Sequence, residues 1–131
     1  MAYPTHAYEY RKSAVTGASP LHIVVLLYEG ALRHMEAGRH ALAHQDYPRQ
    51  NEHLQASQKI IMELMACLDM EKGGEIAVNL LKIYEYALGE LVRANIEDDA
   101  SAVSQCIRIF SDLRESWVKL DQAPAEQAYA A

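Results

Sequence analysis

Glu36, His40 and His44 fall at successive fours. On a helix, that spacing lines up one carboxylate and two imidazoles along one edge, a set that can hold zinc or nickel at a surface. A fourth ligand is missing, however, and a plain solvated edge near a helix end explains the same residues. The plain edge is the preferred reading. The other metal chemistry of helical bundles, a buried di-iron centre, needs Glu-x-x-His on two helices. No Asp or Glu in this chain has His three positions later. There is also no G-x-S-x-G elbow, no P-loop and no G-x-G-x-x-G. The six histidines titrate near neutrality, but their spacing defines no acid–base pair. The sequence is therefore read as a non-enzyme with no cofactor.

Binding chemistry is better represented. Tyr84 falls on an apolar helical stripe, where a buried ring with a hydrogen-bonded hydroxyl is expected. Tyr86 lies two positions on and must face elsewhere, which makes it the better surface contact. Exposed tyrosines beside apolar patches grip partner helices at modest entropy cost. Gly30, Gly38 and Gly89 lie inside helical stretches, where each costs roughly 1 kcal/mol relative to Ala. Close helix–helix approach would offset that cost. So would a groove floor where a bound chain nears the backbone. Both readings stand open at this point.

The elements that position these residues are helical throughout. Pro4, Pro20, Pro48 and Pro124 leave three long stretches free of helix breakers. Ser19-Pro20 is an N-cap followed by proline at the first helical position. From there Ile23, Val24, Leu27, Ala31, Met35, Gly38 and Leu42 recur at threes and fours, predicting a helix over 20–44. A second helix starts near residues 48–51 and carries Leu54, Ile60, Ile61, Leu64, Met65 and Leu68. A third runs from about Gly74 to Asn95, with Ala77, Leu80, Leu81, Tyr84, Ala87, Leu88 and Leu91 inward. Asp98 or Asp99 then caps a fourth, which presents Val103, Cys106, Ile107, Phe110, Leu113, Trp117 and Leu120. The expected fold is all-α. It is an antiparallel four-helix bundle over 18–121, with an extended or short-helical arm over 1–17 and a frayed tail over 122–131.

Composition narrows the function classes. The chain of 131 residues has a net charge of −6, and its 12 Lys and Arg are scattered, which argues against nucleic-acid binding. No apolar run reaches the roughly 18–20 residues that a membrane span needs. The first residues lack the basic-then-apolar pattern of a secretory signal. A cytoplasmic protein without membrane insertion is expected. Cys67 and Cys106 are far apart, and both read as buried thiols in a reducing compartment.

Five segments in order are similar to one known family. They are Tyr10 with Val15 and Ala18-Ser19-Pro20; Leu26 through Leu32, LLYEGAL; Asn51 through Leu64; Leu68-Asp69 through Ala94-Asn95, with Gly73, Gly74, Asn79, Tyr84 and Tyr86; and Leu113-Arg114 with Trp117. Over roughly residues 10–118 the chain resembles the FliS family, the flagellin-specific export chaperones. Gly17, Ala87 and Glu90 depart from the family's common Thr, Met and basic residues. The resemblance implies a cytosolic bundle that binds the disordered C-terminal segment of flagellin, blocks premature polymerisation and keeps the subunit ready for the export gate, a membrane protein with a cytosolic domain. It also implies an N-terminal arm that lies over the bundle and takes part in binding.

On both grounds, the expected client contacts are Tyr10 and Val15 in the arm, and Tyr28, Tyr86 and Leu88 in the bundle. Asn79 and Asn95 are read mainly as satisfying loop or helix-end backbone groups, with Asn95 also able to hydrogen-bond a client. An arm that closes an empty groove lowers apparent affinity by the fraction of time it is closed. Two other classes remain in view, a general helical adaptor for another disordered partner and a metal-binding bundle protein.

Overall fold

Ser19, itself extended at φ −70° and ψ 156°, starts the first helix. Its hydroxyl accepts the His22 backbone N–H at 3.0 Å, and Pro20 follows where no N–H is needed. The computed structural model describes residues 19–123. They form four helices: α1 (Pro20–Ala43), α2 (Tyr47–Ala66), α3 (Gly74–Glu97) and α4 (Ala100–Asp121). Asp46 caps α2 through the Arg49 N–H, so that helix starts slightly ahead of the sequence expectation. Asp99 caps α4 through the N–H groups of Ser101 and Ala102. Asp98 instead ends α3 in the left-handed region, at φ 55°.

α1 packs on α2 and α4, and α3 packs on the same two helices, so the four form a ring. The short connections make ring neighbours antiparallel. Ser19 and His22 at the start of α1 accordingly meet Asp121 at the end of α4, each at 3.2 Å. Gly38 is the close-approach point between α1 and α2. A Cβ there would come within 2.7 Å of Leu54 Cδ2. The core runs through Leu27, Met35, Leu54, Ile61, Leu91, Val103 and Phe110. Leu113, Trp117, Met65, Leu68 and Val24 pack around it, half-buried.

One expectation is corrected here. Cys106 is buried, but Cys67 is exposed, because α2 ends at Ala66 and Cys67 is already its C-cap. Glu36, His40 and His44 do not converge. His44 lies past the end of α1 as its C-cap, its Nδ1–H donates to the His40 carbonyl at 2.9 Å, and its ring lies 4.2 Å from that of His40, tilted by 39°. Among the described residues, no group of three or more His, Cys, Asp or Glu is placed to hold a metal ion.

Candidate functional site

α3 carries two interleaved apolar stripes. One, of Ala77, Leu80, Tyr84, Ala87, Leu91 and Ala94, is buried in the core. The other, of Val78, Leu81, Leu88, Val92 and Ile96, is interrupted by the exposed Glu85 and faces outward, with Leu88 also packing on the core. Val78, Val92 and Ile96 are exposed, with Ile96 at 77%. Leu81 and Leu88 are half-buried along one margin. No other described helix covers this face. It extends about 27 Å from Val78 to Ile96 at 1.5 Å per residue.

Gly89 lies on the same face. A Cβ built there meets nothing within 4 Å. Helix packing therefore explains Gly38 but not Gly89. The propensity cost of Gly89 is not offset by any close contact inside the bundle, and its backbone is left accessible to another chain.

Tyr86 and Leu88 flank this face. Residues two apart on a helix point about 160° from each other, so they occupy opposite margins with Gly89 between. Tyr86 is 47% exposed. Its hydroxyl proton is shared between Glu90 Oε1 at 3.3 Å and Gln105 Oε1 at 3.5 Å, which holds the ring along the α4 side. Partial desolvation, together with the Glu90 carboxylate, raises its pKa. Glu90 is anchored in turn by Arg93, whose Nε lies 2.8 Å from its Oε2. Arg93 also reaches Glu97 and Asp99, tying the end of α3 to the start of α4. Its hydrogen bond depresses the Glu90 pKa; the Ala102 N–H, and then Arg93, depress that of Asp99.

Tyr28 corrects the sequence expectation. It is 0% exposed and presents no surface to a partner. Its hydroxyl meets that of Tyr84 at 2.5 Å, joining α1 to α3 across the ring. Phe110 and Trp117 of α4 flank it at centroid distances of 5.3 and 6.3 Å. Burial raises the pKa of both phenols, so both stay protonated and able to hydrogen-bond. Nearby on the surface, Arg114 of α4 holds Glu29 of α1 through Nε and one terminal nitrogen.

Asn95 is engaged inside the protein. Its Oδ1 and its carbonyl accept from Gln50 Nε2, and its Nδ2 donates to Asn51 Oδ1. Tyr10 and Val15 lie outside the described residues. Sequence reasoning missed Val78, Val92 and Ile96. The available signal was that α3 has apolar residues at helical spacing on two faces, and a helix packed on one side needs only one. Among the described residues, no helix is long and apolar enough to cross a membrane.

Comparison with known proteins gives the family. A family model described as Flagellar protein FliS matches residues 2–124. The flagellar secretion chaperone FliS of Salmonella typhimurium is 36% identical over 110 residues, covering 83% of this chain and 82% of its own length. That of Vibrio cholerae is 33% identical over 114 residues, covering 87% and 82% respectively. That of Bacillus subtilis is 29% identical over 114 residues, covering 87% and 84%. A helical bundle with an uncovered apolar face, matched along nearly its whole length, belongs to the FliS family, a family of flagellar secretion chaperones and not of enzymes.

Proposed function

We propose that this protein works in the cytoplasm, binding the C-terminal segment of flagellin, preventing its premature polymerisation and delivering it to the export apparatus through the cytosolic domain of an export-gate membrane protein. The observation that carries this reading is the uncovered stripe of α3, with Gly89 open at its middle. An amphipathic client helix laid along that stripe buries its own apolar face and leaves solvent with its polar one. A client that folds on binding loses conformational entropy, roughly 2–5 kcal/mol of the gross interaction, so a long apolar footprint is required. Tyr86 and Leu88 bound the client on either side, and Gly89 lets its backbone approach. Tyr28 acts from inside, holding α3 in register through Tyr84. Tyr10 and Val15 add contacts from the N-terminal segment.

Isothermal titration with a peptide of about forty C-terminal flagellin residues, enough for two helices as long as the stripe, tests the reading. Saturable heat and a gain of helical circular dichroism are expected. Absence of both would sink the proposal. Deleting residues 1–16 tests the segment that carries Tyr10 and Val15: affinity for the same peptide changes if that segment contributes contacts or acts as a lid.

A further inference from the structure

The first turn of α2 and the last turn of α3 meet at one end of the bundle. Between them lies a groove of about 410 Å³ lined by Tyr47, Gln50, Asn51, Asn95, Ile96 and Asp98. Its hydrogen bonds occupy the amide protons of Gln50, and Asn51 Oδ1 accepts from both Gln55 and Asn95. Gln50 Nε2 donates to the Asn95 carbonyl at 3.3 Å, to Asn95 Oδ1 at 3.2 Å and to Asp98 Oδ1 at 2.8 Å. Asn95 Nδ2 donates to Asn51 Oδ1 at 2.8 Å. Gln50 is only 2% exposed, and its Oε1 has no hydrogen-bond partner among the described residues. A buried acceptor without a donor is costly, and here its amide head sits among the groove's own walls.

The charge is equally one-sided. Asp98 is an acid at the C-cap of α3, where a cation is favoured, although the N-cap of α4 follows at Asp99. The last turn of α3 has no basic residue of its own. Arg93, one turn back, is committed to Glu90, Glu97 and Asp99. Among the described residues no cation pairs with Asp98. The exposed ring of Tyr47 and the side chain of Ile96 form apolar walls, and an aromatic face attracts a flat cation.

We propose that this groove is a docking pocket for an arginine side chain on a partner polypeptide. A guanidinium offers five N–H donors in one plane and no acceptor, which suits the Asp98 carboxylate and the undonated Gln50 Oε1. Its charge answers Asp98 and the helix end, and its face lies against Tyr47. The pocket adjoins Ile96, the last residue of the outer stripe, so a chain bound along α3 can place an arginine there. The proposal does not depend on which polypeptide that is.

The test titrates the full-length, isotope-labelled protein with N-acetyl-arginine N-methylamide and, separately, with its citrulline counterpart, which keeps the shape and lacks the charge. The readout is the side-chain amide resonances of Gln50, Asn51 and Asn95. The arginine probe is expected to shift them saturably with a Kd on the order of 10 mM, as suits a single side chain. The citrulline probe is expected to produce no saturable shift. Asp98→Asn keeps a residue that tolerates the left-handed backbone and should weaken the arginine probe by about fivefold. Equal shifts from both probes, no saturable shift from either, or unchanged affinity in Asp98→Asn would overturn the proposal. The probes contain no flagellin sequence, so such a failure leaves the client reading standing.

Discussion

Gly89→Ala separates folding from binding. The added Cβ meets nothing within 4 Å, so the substitution brings no clash. It removes the glycine penalty in a helix interior and should stabilise the bundle by about 1 kcal/mol. For a domain of this size, that raises Tm by about 4 °C. The same methyl occupies the space where a client backbone approaches, and loss of close contact there should weaken flagellin-tail binding about tenfold, or about 1.4 kcal/mol. Thermal melts followed by circular dichroism read the first effect and calorimetry with the tail peptide reads the second. Gly38→Ala is the control. Its Cβ would fall 2.7 Å from Leu54 Cδ2, so overpacking of about 1–3 kcal/mol should outweigh the same propensity gain of about 1 kcal/mol. The two glycines therefore move Tm in opposite directions. A Gly89→Ala protein that is more stable and binds the tail with undiminished affinity would refute the view of Gly89 as a groove floor.

Tyr84→Phe leaves the buried Tyr28 hydroxyl with the Trp117 indole but no acceptor on α3, and should cost about 1–2 kcal/mol in urea unfolding. The double variant with Tyr28→Phe should cost clearly less than the sum of the two single changes, and additivity would deny the bond. Glu90 and Asp99 ordinarily titrate near 4.5 and 3.8, and both are held lower in the fold. Their stabilisation is therefore fully present above about pH 4.5 and is lost as pH falls through the depressed values. Tm measured downward from pH 6 should drop in that acid window, and Arg93→Gln should shrink the drop; an unchanged profile would contradict the network. A thiol reagent should modify Cys67 in the native protein and reach Cys106 only on unfolding, since burial pushes the Cys106 thiol up to about 11. Equal rates would contradict the assigned burial.

The bundle was legible because its punctuation is strong. Ser19-Pro20, Pro48, Gly73-Gly74 and the Asp98-Asp99 pair separate four stretches with one helical period. Side-chain direction was harder to read. Leu27 and Tyr28 are adjacent and both are buried, and what encloses Tyr28 is Phe110 and Trp117, more than eighty positions away. The outer stripe of α3 was hidden because it interleaves with the core stripe: half-buried Leu88 packs on the core and borders the outer face at once. Helix ends caused the remaining misses. Cys67 and His44 follow the periodicity of their helices, but the chain has turned away by the time it reaches them. Asp98 and Asp99 look equivalent in sequence, and only backbone geometry makes one a C-cap and the other an N-cap.

The most direct test follows methyl resonances of the labelled protein during titration with the flagellin tail. Binding along α3 predicts that the methyls of Val78, Leu88, Val92 and Ile96 shift first and most. Shifts confined to the α1–α4 side, around Leu32 and Leu113, would contradict it.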